Sequence, residues 1–130
     1  VDLATLTGAI VVSLGTENAG LFSNDDALAS GLFEAGKQVG EGLWRMPMGE
    51  AYNRQIDSDI ADMKNIGGRP GSAILAAEFL KRFVGDATWA HLDIAGTTWK
   101  TTASPTAPKG ATGFGVRLLN QFVQSHEARA

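Results

Sequence analysis

Trp89-Ala90-His91-Leu92-Asp93-Ile94-Ala95-Gly96-Thr97 is the stretch whose reading decides the fold. Residues 89–95 read as a strand: Trp89, His91, Asp93 and Ala95 share one side, and Ala90, Leu92 and Ile94 the other. The strand ends in small residues, Ala95-Gly96-Thr97-Thr98. Thr5-Leu6-Thr7-Gly8 repeats that pattern at the end of a short apolar strand over residues 1–7. Ligands of α/β sheets gather outside the carboxyl ends of strands. A glycine there lets a ligand reach backbone N–H and C=O groups. The two strand ends could flank one cleft, although many strands end in glycine and the pattern alone is unspecific.

The rest of the chain supplies helices to cover such strands. Residues 9–14 are apolar at consecutive positions, which suits a strand and a buried helix equally. Residues 19–23 read as another short strand. Asn24, Asp25 and Asp26 offer an N-cap and first-turn acids. The helix they open places Leu28, Leu32, Phe33 and Val39 on one face, with Gly36 or Gly40 to stop it. Residues 44–48 form an apolar link broken by Pro47, and residues 51–60 a short helix. Residues 67–71 are a loop by composition, and Ser72 is positioned to cap the next helix. Ile74, Leu75, Phe79, Leu80, Phe83 and Val84 make a wide apolar stripe ending near Gly85. Residues 100–110 read as a loop. A last helix follows, with Val116, Leu119, Phe122 and Val123 inward. This alternation predicts an α/β or α+β layer arrangement.

Bulk properties bound the function. The length of 130 residues fits one domain or part of one. Hydrophobic residues at 44% and charged residues at 19% are enough to build a core and too apolar for disorder. Sixteen glycines imply tight turns and close backbone approaches. A net charge of −3 gives no electrostatic reason to expect nucleic acid or an anionic membrane. No stretch is long and apolar enough to span a bilayer. The lack of cysteine removes disulfides and thiolate metal sites, which suits the cytosol. The chain opens at Val1 inside a strand, so a piece of something larger is expected.

Few residues carry chemistry by themselves. His91 and Asp93 share a strand face and could be half of a metal site. Without a third ligand at a recognisable spacing, a role in the hydrogen bonding of the core is the better expectation. His126 lies in a polar tail and reads as solvated. Asp57, Asp59 and Asp62 do not match a calcium loop, so capping and solvation explain them better. No G-x-S-x-G elbow occurs, and Ser72 has no evident base. Residues 110–115, GATGFG, have the wrong glycine order for a dinucleotide fingerprint and predict a close helix–backbone approach instead.

Taken in order, six motifs resemble the leucyl (cytosol) aminopeptidases. They are VDLATLTGA at 1–9, AGLFSND at 19–25, WRMP at 44–47, SDIADMKNIGG at 58–68, WAHLDIAGT at 89–97 and PKGATGFGVRLL at 108–119. The resemblance implies an α/β fold. Residues 1–130 would be the C-terminal part of a three-layer α/β/α peptidase catalytic domain with a mixed central sheet. It implies removal of N-terminal, leucine-like residues from peptides by two divalent metals, Mn2+, Zn2+ or Mg2+, that activate a bridging water. The family's ligands are a lysine, three aspartates and a glutamate, and they and the bicarbonate-holding arginine fall in motifs not found here. No catalytic residue and no metal ligand is therefore expected in this chain, and the chain alone is expected to be inactive.

What carries over is the substrate side. By resemblance, the Leu6 N–H helps hold the bicarbonate, and the Leu6 C=O and Gly8 N–H bind the substrate backbone. Thr5, Gly8, Ala95 and Thr98 would line the pocket for the leucine-like side chain. Thr98 departs from relatives that carry methionine there, which implies a more polar or reshaped pocket. Gly71-Ser72-Ala73 departs slightly from the family pattern, without obvious effect on chemistry. The family also implies a cytoplasmic homo-hexamer, and an assembly module without catalysis is the alternative reading. Some bacterial relatives bind DNA, but the charge of −3 argues against that here. Without upstream strands, the first strand would have an unpaired edge, so the isolated chain is expected to be marginal or aggregation-prone.

Overall fold

The computed structural model describes residues 1–105 and 107–127. Strand β4 (Ala90–Asp93) organises it. β4 pairs in parallel with β1 (Asp2–Ala4) and antiparallel with β2 (Ala19–Ser23), and β2 pairs in parallel with β3 (Leu43–Arg45). The sheet is mixed, in the order β1-β4-β2-β3. Every residue of the two inner strands β2 and β4 is buried, as a strand covered on both faces requires.

Period-two alternation sends side chains to two different cores. On one face Ala19, Leu21, Ala90 and Leu92 meet Leu32 of α2 (Asp26–Val39) and Leu118 of α5 (Val116–Glu127). On the other, Phe22 packs with Ile10 of α1 (Gly8–Leu14) and with Ala73, Ile74 and Ala77 of α4 (Ser72–Lys81). Each fully buried Leu, Ile or Phe contributes about 1.5–3 kcal/mol of transfer free energy. Helices on both faces of a mixed sheet give the three-layer α/β architecture expected from the sequence. No described helix is long and apolar enough to cross a membrane.

Local signals held where a cap was legible. Asp25 caps α2 by accepting from the Leu28 N–H at 2.7 Å, and Gly40 ends the helix in the left-handed region. Residues 9–14 resolve as helix because Thr7 caps them, its Oγ1 accepting from the Ile10 N–H at 3.1 Å. Only Ile10 is buried in α1, and Val12 is 90% exposed.

Other expectations change. Ser72 is the first residue of α4 rather than its cap; Gly71 precedes it at φ +65. That helix ends at Lys81, so Phe83 falls beyond it, 69% exposed. The link at residues 44–48 begins as strand β3, held by the ladder to β2. The short helix is α3 (Glu50–Asn53), extended by a 3-10 turn over Arg54–Ile56. β5 (Trp99–Lys100) and β6 (Gly110–Ala111) pair into a ribbon at the two ends of the expected loop. In α5 the inward residues are Leu118, Leu119 and Phe122, while Val116 is 71% exposed and Val123 is also exposed. Glu41 sets this rotation: its Oε2 accepts from the Gly115 N–H at 3.0 Å and the Leu118 N–H at 2.9 Å. The close approach expected before α5 is present, since a Cβ on Gly115 would lie 2.4 Å from Leu3 Cδ2.

Candidate functional site

Parallel pairing brings the carboxyl ends of β1 and β4 side by side. The ladder runs one bond beyond the strands, from the Ile94 N–H to the Ala4 carbonyl at 2.9 Å. Beyond it both chains turn away. The exit of β4 folds back on itself, the Thr97 N–H and Oγ1 donating to the Ile94 carbonyl at 3.0 and 3.2 Å.

Asp93, the last residue of β4, joins the two exits. Its side chain is wholly buried. Oδ1 accepts from the Leu6 N–H at 3.1 Å and the Ala95 N–H at 3.3 Å, and Oδ2 accepts from Thr7 Oγ1 at 2.7 Å. Thr7 Oγ1 is also the acceptor that caps α1, so one hydroxyl serves the helix and the carboxylate together. The Thr7 bond has the short length of a hydroxyl bonded to a charged acceptor, while the two amide bonds are longer.

This network decides which polar groups stay open. The Leu6 N–H is engaged by Asp93. Among the described residues, the Leu6 C=O and the Gly8 N–H have no protein partner, and both residues are exposed. Thr5 is exposed, and Ala95 and Thr98 are half-buried. Of the residues expected to form a site, the structure links Leu6 and Ala95 through one carboxylate, and Thr5 and Gly8 flank that link in the chain. Thr98 stands on the outgoing arm, its carbonyl accepting from the Thr112 N–H at 2.9 Å. Gly96 lets α1 abut this arm, since a Cβ there would lie 2.2 Å from the Gly15 carbonyl oxygen. A concavity of about 650 Å³ opens between α1 and the loop before α4, lined by Ala9, Val12, Ser13, Met46 and Ile66 among others. None of the five expected site residues lines it.

His91 belongs to a separate network, as its core reading anticipates. It is fully buried, with Nδ1 2.5 Å from Asp2 Oδ1, and Asp2 Oδ2 accepts from Trp89 Nε1 at 2.6 Å. Its ring stacks on Phe22 and Trp89, with centroids 6.0 and 6.3 Å away, and among the described residues its Nε2 has no partner. Asp57 pairs with Arg82 at 2.6 Å. His126 is exposed and leans on Phe122. Among the described residues, no three His, Asp or Glu side chains converge on a point that could hold a metal ion.

The reading of the sequence missed the joint roles of Asp93 and Thr7. A signal existed: a threonine three residues before the amide of the first buried apolar residue is an N-cap pattern. It also missed Glu41 and Glu78, two buried carboxylates that bind backbone N–H groups of distant segments.

Comparison with known proteins agrees over the whole chain. The model of the cytosol aminopeptidase family, catalytic domain, matches residues 1–120. A probable cytosol aminopeptidase of Gluconobacter oxydans is 85% identical over all 130 residues, which make up 26% of that protein. Its counterpart in Caulobacter vibrioides is 60% identical over 95% of the chain and 25% of that protein. A mutant of tomato leucine aminopeptidase superposes with a TM-score of 0.87 at 48% identity, over 95% of this chain and 24% of that one. The chain thus spans about a quarter of the length of the relatives it matches.

Proposed function

This chain belongs to the cytosol aminopeptidase family, and from that premise we propose that it forms the substrate-binding wall of a longer, metal-dependent aminopeptidase acting on leucine-like N-termini. The carrying observation is the pair of parallel strand ends tied by Asp93, with the Leu6 C=O and Gly8 N–H left open beside it. An extended peptide offers one N–H and one C=O per residue, so these two groups can hold its backbone without any side chain. Thr5, Gly8, Ala95 and Thr98 then line the pocket for the first side chain, and the Thr98 hydroxyl makes that pocket more polar than methionine would.

The donor set of this chain does not fit the two divalent ions. No cluster of three carboxylates or imidazoles converges among the described residues. In this reading, ions of the Mn2+, Zn2+ or Mg2+ type are held by parts of the longer protein outside this chain, and the chain alone is inactive. A bicarbonate would find the Leu6 N–H already on Asp93 and could use it only as a shared donor. The longer protein is a cytoplasmic homo-hexamer in this reading, with this segment contributing subunit contacts.

The test is direct. The complete protein carrying this chain should hydrolyse leucyl amide with added Mn2+ and lose that activity to a chelator. An intact, metal-loaded protein that leaves leucyl amide untouched sinks the proposal.

A further inference from the structure

We propose that Asp93 is a positioning residue for substrate binding, setting the direction of the Leu6 C=O and the Gly8 N–H without touching substrate. The proposal rests on the aminopeptidase reading above. Three observations support it. The carboxylate is fully buried, and among the described residues it has no cationic partner, only the neutral donors Leu6 N–H, Thr7 Oγ1 and Ala95 N–H. A buried charge held by neutral dipoles alone is costly and demands good geometry from every donor. The donors come from both strand exits, 86 and 87 residues away in sequence on the β1 side and two residues past the end of β4. They also bracket the open groups: one bond fixes the amide before the Leu6 Cα, the other the Thr7 side chain after it. The intervening Leu6–Thr7 peptide, which carries the Leu6 C=O, is held at both ends, and Gly8 follows at the start of the helix that Thr7 caps.

Asparagine cannot reproduce this arrangement. With its Oδ1 on the Leu6 and Ala95 N–H groups, the asparagine NH2 can meet Thr7 Oγ1 only as a donor, so the Thr7 hydroxyl hydrogen loses its acceptor and the two amide bonds lose their charge. The experiment uses the complete, metal-loaded protein with D93N, T7V and T7S. It reads KM and kcat on leucyl amide, bound metal, and hydrogen exchange at residues 5–8 and 94–97. For D93N the expected result is a KM raised about tenfold, the factor for one lost charge-assisted bond, with metal content unchanged and faster exchange at Leu6 and Ala95. T7V should raise KM less, and T7S should restore it. An unchanged KM in D93N overturns the proposal. Should D93N not fold, an unchanged KM in T7V does so. A wild-type protein without leucyl hydrolase activity removes the aminopeptidase reading itself. Faster exchange in D93N then still supports Asp93 as the clamp on the two strand ends, and unchanged exchange overturns that as well.

Discussion

Asp93 and Glu41 are both buried carboxylates, and both bind donors from far along the chain. Glu41 takes the Gly115 and Leu118 N–H groups at the start of α5 and has the Arg117 guanidinium 3.5 Å from its other oxygen. Those N–H groups belong to the first turn of a helix, where no intrahelical acceptor exists for them. Glu41 therefore closes a surface: it satisfies orphan donors and has a cation for company. Among the described residues Asp93 has no cation, and the groups flanking its donors remain open. On the proposed function, one side-chain chemistry thus serves stability where it saturates a helix end and binding where it saturates a strand end only in part. What differs is not the carboxylate but what its donors leave unpaired.

Four sets of substitutions in the complete protein would break or sharpen this contrast. The largest effect belongs to Glu41→Ala, which strands two buried N–H groups and Arg117 and should cost about 3 kcal/mol. Thermal melting should shift down by several degrees while KM for leucyl amide holds; a rise in KM like that expected for D93N would erase the distinction. Next come Gly96→Ala, which forces a Cβ into occupied space, and Gly115→Ala, which puts a side chain at φ +100, each at about 1–3 kcal/mol. The Gly96 methyl meets the backbone oxygen of Gly15, and the Gly115 methyl meets the Leu3 side chain. Both should lower the melting temperature, yet only Gly96→Ala should raise KM, because only it displaces a strand exit of the site. Thr7→Val removes a helix cap and one Asp93 donor, for about 1 kcal/mol by denaturant titration. A loss no larger than that of an exposed threonine would show that the shared hydroxyl adds nothing.

The smallest effect calibrates the others. Glu50 is an exposed carboxylate whose pKa is held below the usual glutamate value by the Asn53 side-chain hydrogen bond and then by Arg54. A lowered folded-state pKa contributes stability that is present above the unfolded-state pKa and is lost as pH falls through the lowered value. Glu50→Gln should therefore leave melting at neutral pH almost unchanged and flatten only the acid limb of a stability–pH curve. A large change at pH 7 would mean that surface carboxylates matter here as much as buried ones.

The sequence disclosed the elements whose cause is local. The alternation over residues 89–95 gave the central strand and its faces, and Asp25 with Gly40 gave the limits of α2. Two glycine-marked strand ends hinted at a cleft, but Thr5, Leu6, Gly8, Ala95 and Thr98 were named as its lining only through the resemblance to the aminopeptidases. What stayed hidden depends on contacts between distant segments. Periodicity pointed to Val116 and Val123 as inward, but Glu41, more than seventy residues upstream, fixes where α5 begins and so which side faces the core. Residues 99 and 111 pair as a two-residue ribbon, too short to leave a pattern. The grip of Asp93 on Leu6 and Thr7 could not be seen before the parallel register of β1 and β4 was known.

That register has a further consequence for how the molecule is made. β1 and β4 meet only after a loop of nearly ninety residues closes, whereas β2, α2 and β3 are neighbours in sequence. Loop closure must be met before such distant contacts return anything, and chains rich in them fold slowly. During synthesis, β2, α2 and β3 can assemble while Thr5, Leu6 and Gly8 wait without a partner. The proposed substrate wall can then form only after Asp93 has left the ribosome, ahead of the docking of α5 on Glu41.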